Sequence, residues 1–222
     1  MRRKKTQHII LFAVLAMTSS TIAQQIYVGL GLNRASFKEY VNSAGVNTLD
    51  NSGYGKPEES LFESGFRFKI YKQRLHFDIG LLYNKYTINT SFYSGNLRTP
   101  TTYNLSYAGL KTGLTLDVIR WKRVRLQAHI HASKDWLLFG TNRFKNVFID
   151  IYNERTINRA LLNFHRGLGI EFDAFEKISL YLNYNIATSF KEGNQDSTGG
   201  EAYHLKAKAI TLGLLFDISK NK

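Results

Sequence analysis

The chain has 222 residues, no cysteine, two prolines and a formal net charge of +13. That length suits one domain or one barrel, and the lack of cysteine removes disulfide scaffolds, thiolate metal sites and cysteine nucleophiles. A hydrophobic content of 43% with 14% aromatics excludes a disordered chain, while the charge raises nucleic acid as a partner until the N-terminus is read.

Residues 1–23 read as a cleaved signal peptide. Met1-Arg2-Arg3-Lys4-Lys5 is a cationic patch, Ile9 to Met17 is apolar, and Thr18 to Ala23 is small and polar, with Thr21-Ile22-Ala23 fit for cleavage. The apolar run falls short of the ~20 residues that a spanning helix needs. Cleavage leaves 26 Lys and Arg against 17 Asp and Glu, a net charge of +9, on a single exported domain at 24–222.

From there apolar residues recur with period two. Eight segments alternate, near 25–37, 61–71, 75–88, 103–119, 124–139, 159–174, 178–190 and 202–218. In the second, Phe62, Phe66, Phe68 and Ile70 oppose Glu63, Gly65, Arg67 and Lys69. In the third, Leu75, Phe77, Ile79 and Leu81 oppose His76, Asp78 and Gly80. The fifth sets Val124, Leu126, Ala128 and Ile130 against Arg125, Gln127, His129 and His131, and the seventh sets Ile178, Leu180, Leu182 and Tyr184 against Ser179, Tyr181 and Asn183. Such alternation predicts strands with one apolar and one polar face.

The connections alternate too: long near 38–60, 89–102, 140–158 and 191–201, short at 72–74, 120–123 and 175–177. The expectation is an all-β fold, an eight-stranded antiparallel up-and-down transmembrane β-barrel with both termini at the short-turn, periplasmic end. A soluble periplasmic barrel of the lipocalin kind shows the same alternation with its apolar face inward. Long strands, glycine on the polar parity and aromatics near strand ends tilt the reading to the membrane. Trp121, Phe172 and Phe175 form one expected aromatic girdle, and Tyr83, Tyr86, Trp136, Phe139, Tyr184 and Phe190 the other.

On this reading the polar parity fills the lumen. Glu63, Arg67, Lys69, Asp78, Lys111, Asp117, Arg125, His129, Glu171 and Asp173, with Asp217, are expected to form an ion-pair network that plugs the barrel. His76, His165 and His204 are read the same way. Two strands change parity midway: Tyr103, Leu105 and Tyr107 precede Leu110, Leu114 and Leu116, and Tyr203, Leu205 and Ala207 precede Ile210, Leu212 and Leu214. A β-bulge in each accounts for this, as does a first half standing above the membrane. Arg166 falls on the apolar parity, so it either snorkels to the interface or marks an error in register.

The opening Ile26-Tyr27-Val28-Gly29-Leu30-Gly31-Leu32-Asn33 and the closing Ile210-Thr211-Leu212-Gly213-Leu214-Leu215-Phe216-Asp217-Ile218 resemble the first and last strands of small outer-membrane barrels. The chain is most similar to the PorT-like barrel family within the broader OmpA/OmpX type. The resemblance implies an outer-membrane location and a closing strand read by the assembly machinery. Here Ser219-Lys220-Asn221-Lys222 follow that strand, where such families commonly end on an aromatic.

One stretch could carry a reaction. His129, His131, Ser133 and Asp135 project to one face of one strand, so a base, a nucleophile and an orienting acid share that face. His131 and Ser133 are also similar to the His-x-Ser of lipid A deacylase barrels, which implies a lipid A-modifying hydrolase as the alternative function. Parity sends this face to the lumen, away from acyl chains. The expectation is therefore a non-enzymatic protein without metal or cofactor.

Partners are expected to be outer-membrane lipids and an envelope protein, with no nucleic acid. Lys72, Arg74, Arg120, Lys122, Arg123 and Lys177 place a basic rim at the periplasmic turns, facing anionic head groups. In the loops, Phe144, Phe148, Ile149, Ile151 and Tyr152 are exposed contact candidates, and Val147 to Tyr152 has strand character for a hairpin above the membrane. The expected role is structural, adhesive or in envelope assembly.

Overall fold

The structure is a computed structural model that describes residues 24–41, 49–51, 53–72, 74–94, 97–144, 147–154, 159–190, 192–193 and 202–218. Residues 1–23, expected to be a signal peptide, and residues 219–222 lie outside the described residues. Eight long strands follow one another: β1 Gln24–Val41, β2 Glu59–Tyr71, β3 Leu75–Ser94, β4 Leu97–Trp121, β5 Val124–Phe144, β6 Ala160–Asp173, β7 Ile178–Ser189 and β8 Ala202–Asp217. Each pairs antiparallel with the next, and β1 pairs with β8, so the sheet closes into a ring. Short ladders at Leu49–Asp50, Val147–Asp150 and Glu192–Gly193 extend β3, β5 and β8, and α1 is a single turn, Ile151–Glu154.

The register sets the tilt. Pairing leads from Arg34 through Lys208, Ile186, Arg166, Ile130, Leu114, Phe77 and Phe68, and returns to the first strand at Gln24, ten residues from the start. A stagger of that size obliges the strands to lean steeply and leaves a lumen just wide enough for side chains. At the short-turn end the backbone turns tightly, with Lys72 (φ 43°) and Lys122 (φ 51°) in the left-handed region.

Strand length is the first departure from expectation. β4 runs for 25 residues and β5 for 21, whereas a tilted strand crosses a bilayer in roughly 9–11. Residues 89–102 are not a long loop: β3 and β4 stay paired out to Ser94 and Leu97. Part of the sheet, β3 to β5 and the paired β1 and β8, therefore continues well beyond one face of the membrane.

Polarity reverses along it. In the half nearer the short turns, Val28, Leu30, Phe66, Ile79, Leu114, Ile130, Leu168, Leu182 and Leu212 face outward and Glu63, Arg67, Asp78, Lys111 and Glu171 are buried inside. In the half nearer the long loops, Phe37, Tyr86, Ile88, Tyr103, Leu105, Tyr107, Leu137, Leu161 and Leu205 are buried inside as one cluster. There most outward positions are polar, among them Ser36, Lys38, Lys85, Thr87, Asn104 and Lys206, with Leu138 and Phe139 on β5 as apolar exceptions. Cross-strand bonds tie this outer surface, Thr87 Oγ1 to Asn104 Oδ1 at 2.8 Å and Thr102 Oγ1 to Asn89 Oδ1 at 3.0 Å. The lower storey is built for lipid and the upper one for water.

This reversal explains the change of parity without a mid-strand bulge. Residues 103, 105, 107, 109, 111, 115 and 117 of β4 all face the lumen, as do 205, 207, 209, 211, 213 and 215 of β8. The face stays constant while the preferred polarity on each side switches at the bilayer boundary. Bulges do occur, but none flips β4 or β8 at its change of parity. The register shift at Ser106 and Tyr107 places its extra residue, Leu138, on β5, that between Asp117 and Ile119 lies near the short turn of β4, and that between Phe37 and Glu39 lies on β1. Tyr86, expected in a girdle, is buried in the upper core. Trp121, Phe172, Phe175, Trp136, Phe139, Tyr184 and Phe190 are exposed, as expected of girdle residues.

Candidate functional site

The lower lumen gathers charged groups from several strands of the barrel wall. Arg67 on β2 donates from Nε to Asp78 Oδ1 at 2.7 Å and from Nη1 to Glu171 Oε2 at 3.1 Å. Glu171 also takes Arg125 at 2.7 Å, and Gln127 Nε2 at 2.7 Å. Arg125 extends the chain of contacts to Asp173. Lys111 on β4 pairs with Glu63 on β2, and Tyr181 donates to the same carboxylate at 3.0 Å. Asp117 is held by Arg120 at 2.6 Å and Gln127 Nε2 at 2.8 Å, with His76 Nε2 at 3.4 Å. Lys69 meets Asp217 at 3.2 Å, half-buried at the short-turn mouth. A buried charge needs a partner and satisfied hydrogen bonds. The network supplies an opposite charge to each of these charged groups through neighbours on adjacent or opposite strands, while Arg125 Nε and His76 Nδ1 stay buried without a hydrogen-bond partner among the described residues.

Two tyrosines that the alternation did not single out complete the packing. Tyr27 lies over the cross-strand glycine pair Gly65–Gly80, and Tyr181 over Gly29–Gly213. A Cβ at any of these four positions would run into the tyrosine ring or its hydroxyl. Glycine on the polar parity therefore makes room for aromatic rings lying across the barrel wall. The legible clue was the coincidence of glycines at paired positions with tyrosines on the same parity.

The His–Ser face divides among separate partners. His131 Nε2 lies 3.0 Å from Asp78 Oδ2, and His129 Nε2 lies 2.5 Å from Asn185 Oδ1. Ser133 Oγ contacts His165 Nε2 at 2.8 Å, not His131, and Asp135 accepts from Asn163 Nδ2 at 2.7 Å. His165 comes from β6, where it pairs with His131 in register. All these groups are buried in the lumen except Asn185, which is half-buried. Between the two storeys the free space is a cavity of about 20 Å³, room for a water molecule, with the upper core above and the ion network below. His204 departs from expectation: it lies on the outward parity of β8, with Nδ1 3.0 Å from the Ser189 carbonyl oxygen.

An outward apolar belt around a charged, buried lumen inverts the layout of a soluble barrel, whose apolar residues turn inward. The chain is an integral membrane β-barrel of the outer-membrane type. No family model matches it, and no curated protein is significantly similar in sequence. Solved structures similar to it include Neisserial surface protein A, 11% identical with a TM-score of 0.46 over 87% of this chain and 97% of that one. OprG of Pseudomonas aeruginosa is 8% identical with a TM-score of 0.47 over 90% of this chain and 98% of that one. Ail of Yersinia pestis is 11% identical with a TM-score of 0.41 over 87% of this chain and 98% of that one. The architecture rests on the strand pairing and the burial pattern themselves.

At the short-turn end Lys72, Arg74, Lys122, Arg123 and Lys177 are exposed as a basic rim, while Arg120 folds back onto Asp117. At the other end Val147–Asp150 pairs with Thr141–Phe144 as the expected hairpin. Phe144, Phe148 and Tyr152 are exposed, with Arg143 over the Phe148 ring and Arg159 over Tyr152, and Ile149 is half-buried. Ile151, expected to be exposed, is buried at 1% because it caps the upper core, where Leu49 and Phe92 also pack.

Proposed function

We propose that the chain is an outer-membrane scaffold with periplasmic termini, carrying a water-facing β-stalk beyond the outer leaflet and using its tip for adhesion or envelope assembly. The observation that carries this reading is the apolar core of the upper storey. It plugs the lumen against passage and stiffens the strands outside the membrane, so the protein presents a rigid surface rather than a pore. Phe148 and Tyr152 at the tip supply exposed aromatic contact area, and the basic rim supplies attraction to anionic head groups at the opposite face. Assignment to the PorT-like branch is supported by the first- and last-strand patterns. The test is single-cysteine labelling in intact cells: Phe148→Cys should react with an impermeant maleimide and Lys122→Cys only after the envelope is opened. The reverse pattern would invert the orientation.

The hydrolase alternative rests on Ser133 and His165 at hydrogen-bond distance. Both face a closed lumen, while acyl chains lie outside the barrel wall, so the non-enzymatic reading is preferred. Lipid A from cells expressing the wild type and Ser133→Ala should have the same acylation by mass spectrometry. Deacylation that Ser133→Ala abolishes would reinstate the enzyme.

A further inference from the structure

Arg166 lies on the outward face of β6, with Leu162 and Phe164 toward the long loops and Leu168 and Ile170 toward the short turns. It stands in a row of outward positions that pairing carries through Ile186 and Lys208 to Arg34 on four consecutive strands around the closed ring. One step further from the short turns, Thr188 and Lys206 are paired on the same face. Arg34 meets Glu58. Among the described side chains no carboxylate is within ion-pair distance of Arg166, Lys206 or Lys208.

Like charges set side by side on a sheet repel, and a cation inside an apolar belt is costly. Both costs fall if an anion sits among them. Arg166 and Lys208 flank Ile186 at two strand spacings, about 10 Å, and both side chains are long enough to converge over it. Directly beneath, Leu168, Tyr184 and Ile210 form the next outward row. Two shallow grooves descend from it and share Tyr184 and Ile210: one, bordered by Leu212, carries the Arg34–Glu58 pair and Lys208 on its rim, and the other, bordered by Leu182, is apolar.

We propose that this patch binds a phosphorylated, multiply acylated glycolipid of the outer leaflet. Its phosphate sits among Arg166, Lys206 and Lys208, the Thr188 hydroxyl donates to it, and its acyl chains lie in the two grooves. Three cations with no ion-pair partner among the described side chains match a head group carrying more than one negative charge, and two grooves match at least two chains. A singly charged glycerophospholipid satisfies the second condition only. The proposal rests on the orientation given above, which puts the long-loop end in the outer leaflet, and it gives Arg166 a reason to stand in the belt.

The full chain is folded into phosphatidylcholine vesicles, and the electrophoretic shift on heating is read first. Bisphosphorylated lipid A, monophosphorylated lipid A and phosphatidylglycerol are then titrated, and bound lipid is counted by native mass spectrometry. Bisphosphorylated lipid A should bind tightest. Arg166→Gln and Lys208→Gln should each weaken it about tenfold, with Lys206→Gln/Lys208→Gln as the second variant if Arg166→Gln does not fold. Equal binding by wild type and variants, or no preference over phosphatidylglycerol, overturns the proposal. So does a protein oligomer that forms through this face in the absence of lipid. A wild type that shows no heat shift defeats the membrane reading instead.

Discussion

Arg67 and Glu171 meet across the lumen, Nη1 donating to Oε2 at 3.1 Å, although 104 residues separate them in sequence. β2 and β6 are not neighbours in the sheet, so this pair braces opposite walls of the barrel. Arg67→Leu strands Asp78 and Glu171 without their shared cation inside the wall. Loss of one partner of a buried pair costs about 3–5 kcal/mol. Urea unfolding in phosphatidylcholine bilayers should show that loss, and Arg67→Leu/Asp78→Leu/Glu171→Leu should recover part of it. An unchanged midpoint for the single variant would mean that water reaches the lumen and screens the charges.

A second brace is steric. Gly80 lies beneath the Tyr27 hydroxyl, and a Cβ there would also meet the Ser64 carbonyl on the neighbouring strand. Gly80→Ala should destabilise the barrel by about 1–3 kcal/mol through overpacking. Combining it with Tyr27→Ala should cost less than the sum of the two, because one of the clashing groups has gone. Strict additivity in that cycle would place the ring away from Gly80.

The period of two made the strands legible, because in each strand successive side chains face opposite sides. It located the short-turn ends of β2 and β3 within a residue and put every charged member of the proposed network on one parity. Period two does not say which face is inside, nor that the answer can change along one strand. Tyr103, Leu105 and Tyr107 face the same way as Lys111 and Asp117, so a pattern that tracks apolar residues alone sees a slip where the backbone has none. Length was the overlooked clue: residues 89–102 are rich in threonine and asparagine that pair well on a water-facing sheet. Partner choice within the site was not legible either. Ser133 and His131 share a strand face, but a side chain's nearest neighbours across a sheet lie on the next strand, and there His165 reaches Ser133.

Leu105 and Leu110, on one strand, separate the two storeys. Leu105 is buried in the upper core, and Leu110 is 51% exposed in the belt. Leu105→Ala should cost about 2–5 kcal/mol as a core cavity, visible as faster hydrogen exchange in the upper parts of β3 to β5 while the heat-dependent electrophoretic shift persists. Leu110→Ala should leave exchange there unchanged. If both variants behave alike, the upper storey has no core of its own.

Lys122 occupies a left-handed backbone position, φ 51°, where glycine incurs no steric cost and a side chain loses about 1–2 kcal/mol. Its charge offers a reason to tolerate that strain. Lys122→Gly should raise the unfolding midpoint in a neutral detergent, since the strain is relieved and no partner is lost from the buried network. On vesicles containing phosphatidylglycerol the gain should shrink as salt is lowered, because each lysine near an anionic surface contributes about 1 kcal/mol of attraction that salt screens. A variant that is equally stabilised on neutral and anionic surfaces at every salt concentration would separate the rim from any role in head-group contact.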